Sequence, residues 1–257
     1  MPPTVAACQL AIDDLDVAAT LATVESRLAG LPDAVDVAVF PEYTLTGFVP
    51  DHRAADAALR TDGDEIDRLR DLAAAESTAL VVGFVEADGD DLYNTTVYVA
   101  PDGDLTRYRK RHLRGREAEI LTAGDDLVTV ETPAGTAGLL TCYDLNFVAD
   151  SAALAGKVDA LFVGGAWPAT YSENWRLLLR ARALDGVRWV VGAGRTGRRE
   201  PADAPATDAV AYAGRSTVVR PDGGIHAALD RREDDLVADL DPETLAAHRE
   251  FVGSVPE

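Results

Sequence analysis

The sequence predicts an α/β fold, a four-layer αββα sandwich with pseudo-two-fold related halves. Three observations point to it. Strand-like apolar runs alternate with segments whose apolar residues recur at helical spacing, the pattern of parallel strands joined by crossover helices. Asp36-Val37-Ala38-Val39-Phe40 is echoed by Asp159-Ala160-Leu161-Phe162-Val163, 123 positions on. Val97-Tyr98-Val99-Ala100-Pro101-Asp102-Gly103 is echoed by Thr217-Val218-Val219-Arg220-Pro221-Asp222-Gly223, 120 positions on. Each half then reads as a sheet with helices on one face, and two such layers bury their bare faces by packing sheet to sheet. The echoes are short, so an unrelated α/β sheet is the competing arrangement.

Taken in order, Val5 to Leu10 reads as a buried strand, and Val17, Leu21, Val24 and Leu28 mark a helix that ends at Gly30. Asp36 to Phe40 is a second strand, stopped by Pro41. Glu65 to Glu76 makes an amphipathic helix. Leu80 to Glu86 and Leu92 to Ala100 are strands joined at Asp88-Gly89-Asp90, and after a turn at Pro101-Asp102-Gly103 the strand Leu105 to Arg109 leads into Lys110. Strands at Leu127 to Glu131 and Gly135 to Thr141 arrive at Cys142. A short helix around Ser151 to Ala155, a strand at Asp159 to Val163, a helix over 172–185 and a strand over 188–194 repeat the plan. His248 falls on a closing amphipathic helix.

At 257 residues and 47% hydrophobic content, the chain is expected to fold as one domain spanning 1–257. The start, Met1-Pro2-Pro3-Thr4, lacks a charged leader with an apolar core, and no run approaches the roughly 18 apolar residues that cross a bilayer, so a cytoplasmic protein is expected. Cys8 and Cys142 are too few for a disulfide framework and are expected as free thiols. The four histidines show no paired metal-ligand spacing, and neither metal nor cofactor is expected. A net charge of −20 argues against nucleic acid or an anionic membrane as partner. Of 24 basic residues only Lys110 and Lys157 are lysines. An acidic, lysine-poor surface suits high salt, where screening relieves self-repulsion, and the unfolding midpoint is expected to rise with KCl; a midpoint indifferent to KCl would contradict this.

Three residues follow directly on apolar strands: Glu42, Lys110 and Cys142. Ligand crevices of α/β sheets lie at the carboxyl ends of strands, so the three can converge there. A thiol needs a base to become a nucleophile, a carboxylate among apolar neighbours can exchange a proton with it, and a fixed ammonium can hold a negative oxygen. Taken singly, Glu42 also fits a solvated loop acid, Lys110 a surface charge in the cluster Arg107-Arg109-Lys110-Arg111, and Cys142 an inert core residue.

At these residues the sequence resembles the carbon-nitrogen hydrolase family, the nitrilase superfamily. Val39-Phe40-Pro41-Glu42-Tyr43, Tyr108-Arg109-Lys110-Arg111-His112-Leu113 and Leu140-Thr141-Cys142-Tyr143-Asp144 are similar to its glutamate, lysine and cysteine motifs, in the same order. The resemblance extends through Ala7-Cys8-Gln9-Leu10, Ala166-Trp167-Pro168, Arg182-Ala183-Leu184-Asp185 and Gly214-Arg215-Ser216. It implies the αββα fold and an amidase-like hydrolase of small linear amides, ω-amides or N-carbamoyl compounds, working through a cysteine thioester and releasing ammonia or an amine. It also implies roles: Glu42 as proton carrier, Cys142 as nucleophile, Lys110 with the Tyr143 backbone N–H as oxyanion donors, and Glu117 as a second glutamate supporting the lysine. Glu117 equally fits a surface acid beside Glu119. A homodimer is the usual assembly.

The pattern departs after Asp144, where Leu145-Asn146-Phe147-Val148-Ala149 stands in place of a hydrophobic residue followed by Arg-Phe-Pro-Glu. Asn146 is thus a candidate for shaping the substrate pocket. Trp167 is another, or a core residue, and Asp185 stands where a glutamate is usual. The polar stretch Arg195 to Glu200, followed by Pro201 to Pro205, either borders the site or is a solvated loop. Two other readings stay open: a Cys-His-Glu glutaminase using His248 and Glu250, and a non-catalytic binding protein that retains the fold.

Overall fold

The computed structural model describes residues 1–199 and 209–253. The first half of the chain runs β1 (Thr4–Gln9), α1 (Val17–Gly30), β2 (Val37–Val39), α2 (Arg53–Asp56), α3 (Asp64–Glu76), β3 (Ala79–Asp88), β4 (Asp91–Val99), β5 (Leu105–Arg109) and α4 (Glu117–Ile120). The second runs β6 (Thr129–Thr132), β7 (Gly135–Thr141), α5 (Val148–Leu154), β8 (Ala160–Gly165), α6 (Ser172–Gly186), β9 (Trp189–Gly194), β10 (Arg198–Arg199), β11 (Val210–Ala211), β12 (Thr217–Val219) and β13 (Ile225–Ala228). The chain closes with β14 (Asp234–Asp239), which returns to the first sheet, and α7 (Pro242–Val252).

The two large sheets have one topology. Their orders are β14-β1-β2-β3-β4-β5 and β6-β7-β8-β9-β12-β13. In the first, β1, β2 and β3 pair in parallel, with antiparallel partners outside them. In the second, β7, β8 and β9 do the same. The sequence echoes fall on equivalent strands: Asp36–Phe40 brackets β2 where Asp159–Val163 enters β8, and the other pair ends β4 and β12. The expected pseudo-two-fold relation is therefore present, and the fold is the αββα sandwich.

Strand periodicity explains the layers. Successive side chains of β1 alternate, with Val5 and Ala7 in one apolar cluster beside Leu139 and Val190 of the other sheet. Ala6 and Cys8 lie in a second cluster with Val24 and Leu28 of α1 and Ile66 and Leu69 of α3. Strands covered on both faces read as unbroken apolar runs, as these do. The covering helices start where their caps dictate: the Asp16 side chain accepts from Ala19 N at 3.0 Å, α3 opens with Asp64, Glu65 and Asp67 against its dipole, and Asp241 with Pro242 starts α7. On the other outer face, Trp175, Leu179 and Ala183 of α6 pack into the first cluster. Cys8 and Cys142 are unpaired thiols. No helix among the described residues is long and apolar enough to cross a membrane. Strand β6 begins at Thr129, two residues later than the apolar Leu127 suggested, because pairing with β7 sets its limits.

Candidate active site

Glu42 is placed by a squeeze between the sheets. Past β2, Pro41 cannot donate to a ladder, and the chain turns between Gly83 of β3 and Gly164 of β8. A Cβ on Gly83 would stand 2.8 Å from Tyr43 N, and one on Gly164 3.0 Å from Glu42 N, so neither site has room for a side chain. Tyr43 completes the turn at φ +59°, a left-handed conformation rare outside glycine. Lys110 continues β5 by one residue, its N–H donating to Asn94 O at 2.8 Å.

Cys142 begins a 3-10 turn, Cys142–Asn146, directly after β7. Its φ of +47° is again left-handed, and such strain persists only where the surroundings fix it. They do so here through a reciprocal cap: the Thr141 side chain accepts from the Asp144 N–H, and the Asp144 carboxylate accepts from Thr141 N at 3.0 Å.

The three predicted residues meet. Lys110 Nζ donates to Glu42 Oε1 at 2.8 Å and to Glu117 Oε1 and Oε2 at 2.9 and 3.0 Å, which uses all three ammonium protons. Lys110 and Glu42 are each only 3% exposed, so neither is the solvated charge its sequence neighbours allowed. Glu117 is buried too, at the start of α4, and accepts from Tyr43 Oη and from Arg114 N at 3.1 Å. Two donors were not foreseen. Asn94 Nδ2 donates to both Glu42 Oε1 and Glu117 Oε1 at 2.8 Å, and the backbone N–H of Ala166, just past β8, donates to Glu42 Oε2 at 2.9 Å.

The electrostatics follow from burial and these contacts. Burial, then the Glu42 carboxylate, pushes the Cys142 thiol well above its ordinary value, while Lys110 and the Ala166 N–H pull it down. The resting nucleophile is thus a neutral thiol beside a proton acceptor. Burial works against the charge on Lys110, but Glu42 and Glu117 outweigh it and hold the ammonium well above its usual range. Burial likewise opposes ionisation of Glu117, and Lys110, Tyr43 and Asn94 prevail and lower it.

A cavity of about 830 Å3 opens over Glu42, Lys110 and Cys142. Tyr143, Asn146 and Trp167 stand in its wall, with Arg199 and Tyr212 from the far side of the second half. Asn146 is exposed and its Nδ2 donates to Tyr143 O at 3.1 Å. Of the polar stretch after Arg195, Arg199 reaches the wall, while Glu200 and Pro201 to Pro205 lie outside the described residues. His248 is on α7 with Nδ1 bonded to Thr244 O, its Nε2 3.4 Å from Asp222, and Glu250 is exposed; neither lines this cavity, which removes the glutaminase arrangement. Behind the nucleophile turn, His112, Asp144 and Asp150 each bring a ligand atom within 4.8 Å of the others. Their oxygens already accept from Arg111, Tyr108, the ring of His112 and backbone N–H groups, so the cluster is closed by protein donors.

Comparison with known proteins gives the family and fold to which the chain is similar. Residues 4–250 match the family described as carbon-nitrogen hydrolase. The chain is 31% identical over 242 residues to an (R)-stereoselective amidase of a Pseudomonas species, covering 94% of this chain and 86% of that protein. It is 36% identical over 227 residues to the omega-amidase NIT2 of Xenopus tropicalis, covering 83% and 74%. Among solved structures, the CN-hydrolase superfamily protein XC1258 of Xanthomonas campestris, which carries an arsenic adduct in its active site, superposes with a TM-score of 0.88 at 25% identity, covering 98% and 95%.

Proposed function

The chain belongs to the carbon-nitrogen hydrolase family, and we propose that within it Cys142 is the nucleophile, Glu42 the proton carrier and Lys110 the fixed cation. It is an enzyme that hydrolyses carbon-nitrogen bonds through a cysteine. The observation that carries the residue assignment is the ammonium of Lys110 locked between Glu42 and Glu117 beside the Cys142 thiol.

The steps follow from those positions. Glu42 takes the thiol proton as Sγ attacks the amide carbon, so thiolate is formed only as it is consumed. The negative charge moving onto the carbonyl oxygen is met by the backbone N–H of Tyr143 and by Lys110, whose bond to Glu42 is released once that carboxyl has taken the thiol proton, a contribution of about 3 kcal/mol for one such donor. Glu42 returns its proton to the leaving nitrogen, and ammonia or an amine departs from a thioester. Water then enters, gives a proton to Glu42 and displaces Cys142, and the proton returns to the thiol. Such proton transfer is worth about 100- to 10,000-fold. Glu117 stays ionised and bonded to Lys110, which keeps the ammonium aimed while Glu42 changes charge.

The proposed substrate is a small linear amide, an ω-amide or an N-carbamoyl compound. Lys110 is spent on Glu42 and Glu117, and Arg114 stands in the cavity wall with its guanidinium 5.8 Å from the centre of the Tyr143 ring. In a chain of net charge −20, the Arg114 guanidinium at the mouth of the site favours a substrate with a carboxylate remote from the amide. Asn146 and Trp167 are proposed to contact it. We further read residues 1–257 as one domain. The unpaired thiols support a reducing, cytoplasmic setting, and exposed Leu177 and Leu184, seven apart on α6, support a homodimer.

The test is ammonia release and intact mass, in high salt, on monoamides of dicarboxylic acids, neutral short amides, N-carbamoyl compounds and nitriles. Wild type is expected to release ammonia, fastest from the ω-monoamides by about tenfold or more, the worth of one charge-assisted contact. Cys142→Ala is expected to release none and to carry no acyl mass. Equal turnover by Cys142→Ala, or none by wild type across the panel, would overturn the assignment.

A further inference from the structure

Asp144 has no part in the chemistry above, yet it is fully buried behind the nucleophile. Its Oδ2 accepts from Tyr108 Oη at 2.6 Å and from Thr141 N at 3.0 Å, and its Oδ1 accepts from His112 N at 3.0 Å. These donors come from two places. Thr141 immediately precedes Cys142, whereas Tyr108 and His112 flank Lys110 by two residues on either side. One carboxylate therefore spans the turn that carries the thiol and the strand end that carries the ammonium. Those two segments belong to different sheets of the sandwich.

We propose that Asp144 is a positioning residue that fixes Lys110 relative to Cys142, acting through Tyr108. The proposal rests on the roles assigned above to Cys142 and Lys110. Capping the 3-10 turn would require only the Thr141 contact. The other two bonds join residues 36 and 32 positions upstream, and Tyr108 gives the proton of a fully buried hydroxyl to Asp144 while its oxygen accepts from the Arg111 N–H. A buried carboxylate without its own cation is costly to keep charged. Burial pushes Asp144 up to about 6, even though Lys110 and its three hydrogen bonds pull it down. The group retains its charge in neutral solution by spending it on three donors that set the spacing of the site.

The cleanest variant is Tyr108→Phe, which leaves the Asp144 charge and the turn cap in place and removes one tie. The readout independent of substrate is alkylation of Cys142 by iodoacetamide as a function of pH, followed by intact mass. The groups bearing on that thiol are Glu42 and Lys110, with Tyr43 alongside, while Asp144 bears on Lys110. Lys110 lowers the thiol's pKa, so slackening its strand is expected to move the alkylation profile to higher pH. On an amide that wild type turns over, kcat should fall about tenfold or more with KM within about threefold. Asp144→Asn should lose more, because either orientation of the amide sets an N–H against the N–H of His112 or Thr141. Combining it with Tyr108→Phe should add little, since both cut the same tie.

A Tyr108→Phe enzyme with the wild-type alkylation profile and kcat would overturn the proposal, whether or not Asp144→Asn folds. So would a variant that loses only thermal stability while its folded fraction reacts normally. Absence of ammonia release by wild type would strike the proposed function instead, and the alkylation profiles would still decide the role of Asp144.

Discussion

Replacing Lys110 with methionine is expected to reduce ammonia release by about 1,000-fold or more and to cost about 3–5 kcal/mol of folding stability. The stability loss comes from what is left behind. Glu42 Oε1 and Glu117 lie on either side of one ammonium, all three groups are buried, and methionine fills the space without the charge. The pH dependence should reverse as well. In the wild type Glu117 is held below the ordinary carboxylate range, so its stabilisation is present above that range and disappears as pH falls through the lowered value. Without Lys110, burial and the neighbouring carboxylate raise proton affinity, the folded state binds more protons than the unfolded chain, and stability falls as pH rises. Urea midpoints should therefore show a larger deficit at pH 8 than at pH 5. Equal deficits, or turnover within tenfold of wild type, would contradict the account.

Glu42→Gln should separate two effects of one carboxylate. Turnover is expected to fall about 100- to 10,000-fold, because the amide cannot carry the thiol proton to the leaving group. Yet the negative charge of Glu42 raises the pKa of Cys142, and removing it leaves Lys110 to pull the thiol down. Alkylation of Cys142 at neutral pH should thus be as fast as in wild type or faster. Parallel loss of alkylation and turnover would mean that the substitution had disordered the turn rather than removed a base. The glutamine also sets an N–H toward either Ala166 N or the pair Lys110 and Asn94, so a modest stability loss of about 1–3 kcal/mol accompanies it.

How much of this was legible in the sequence depended on where each group sits. Glu42 and Cys142 were legible because each follows an apolar strand, where the hydrophobic pattern stops and polar chemistry begins, whereas β5 carries Thr106, Arg107 and Arg109, and Lys110 stood out by the scarcity of lysine and by its family motif. Glu117 was legible only through family resemblance, since a four-residue helix beside an acidic loop has no pattern of its own. Asn94 was hidden in the middle of β4. The signal was present, for asparagine is a poor strand former and Asn94-Thr95-Thr96 interrupts an apolar run, but cross-strand neighbours such as Val85 do not reveal which site it faces. The Ala166 N–H could not be read at all, because any residue type supplies a backbone donor. The tie from Asp144 to Tyr108 joins two motifs that were recognised separately, and only the fold brings them together. The cavity wall is less legible still: Arg199 and Tyr212 arrive from segments whose sequence reads as ordinary loop and short strand.

The passage of Pro41 to Tyr43 between Gly83 and Gly164 bears on how the two halves differ. Glu42 leaves β2, and the equivalent exit from β8 is Gly164-Gly165-Ala166, which has no side chain before Ala166 and gives one amide to Glu42. At the offset of 123 the counterpart of Pro41 is Gly164, where a Cβ would meet the backbone of Phe40, Pro41 and Glu42, and the counterpart of Glu42 is Gly165, where a Cβ would meet the Trp175 ring. The halves share a topology but not this exit: one presents a carboxylate, and the other presents bare backbone that lets it pass and a donor that receives it.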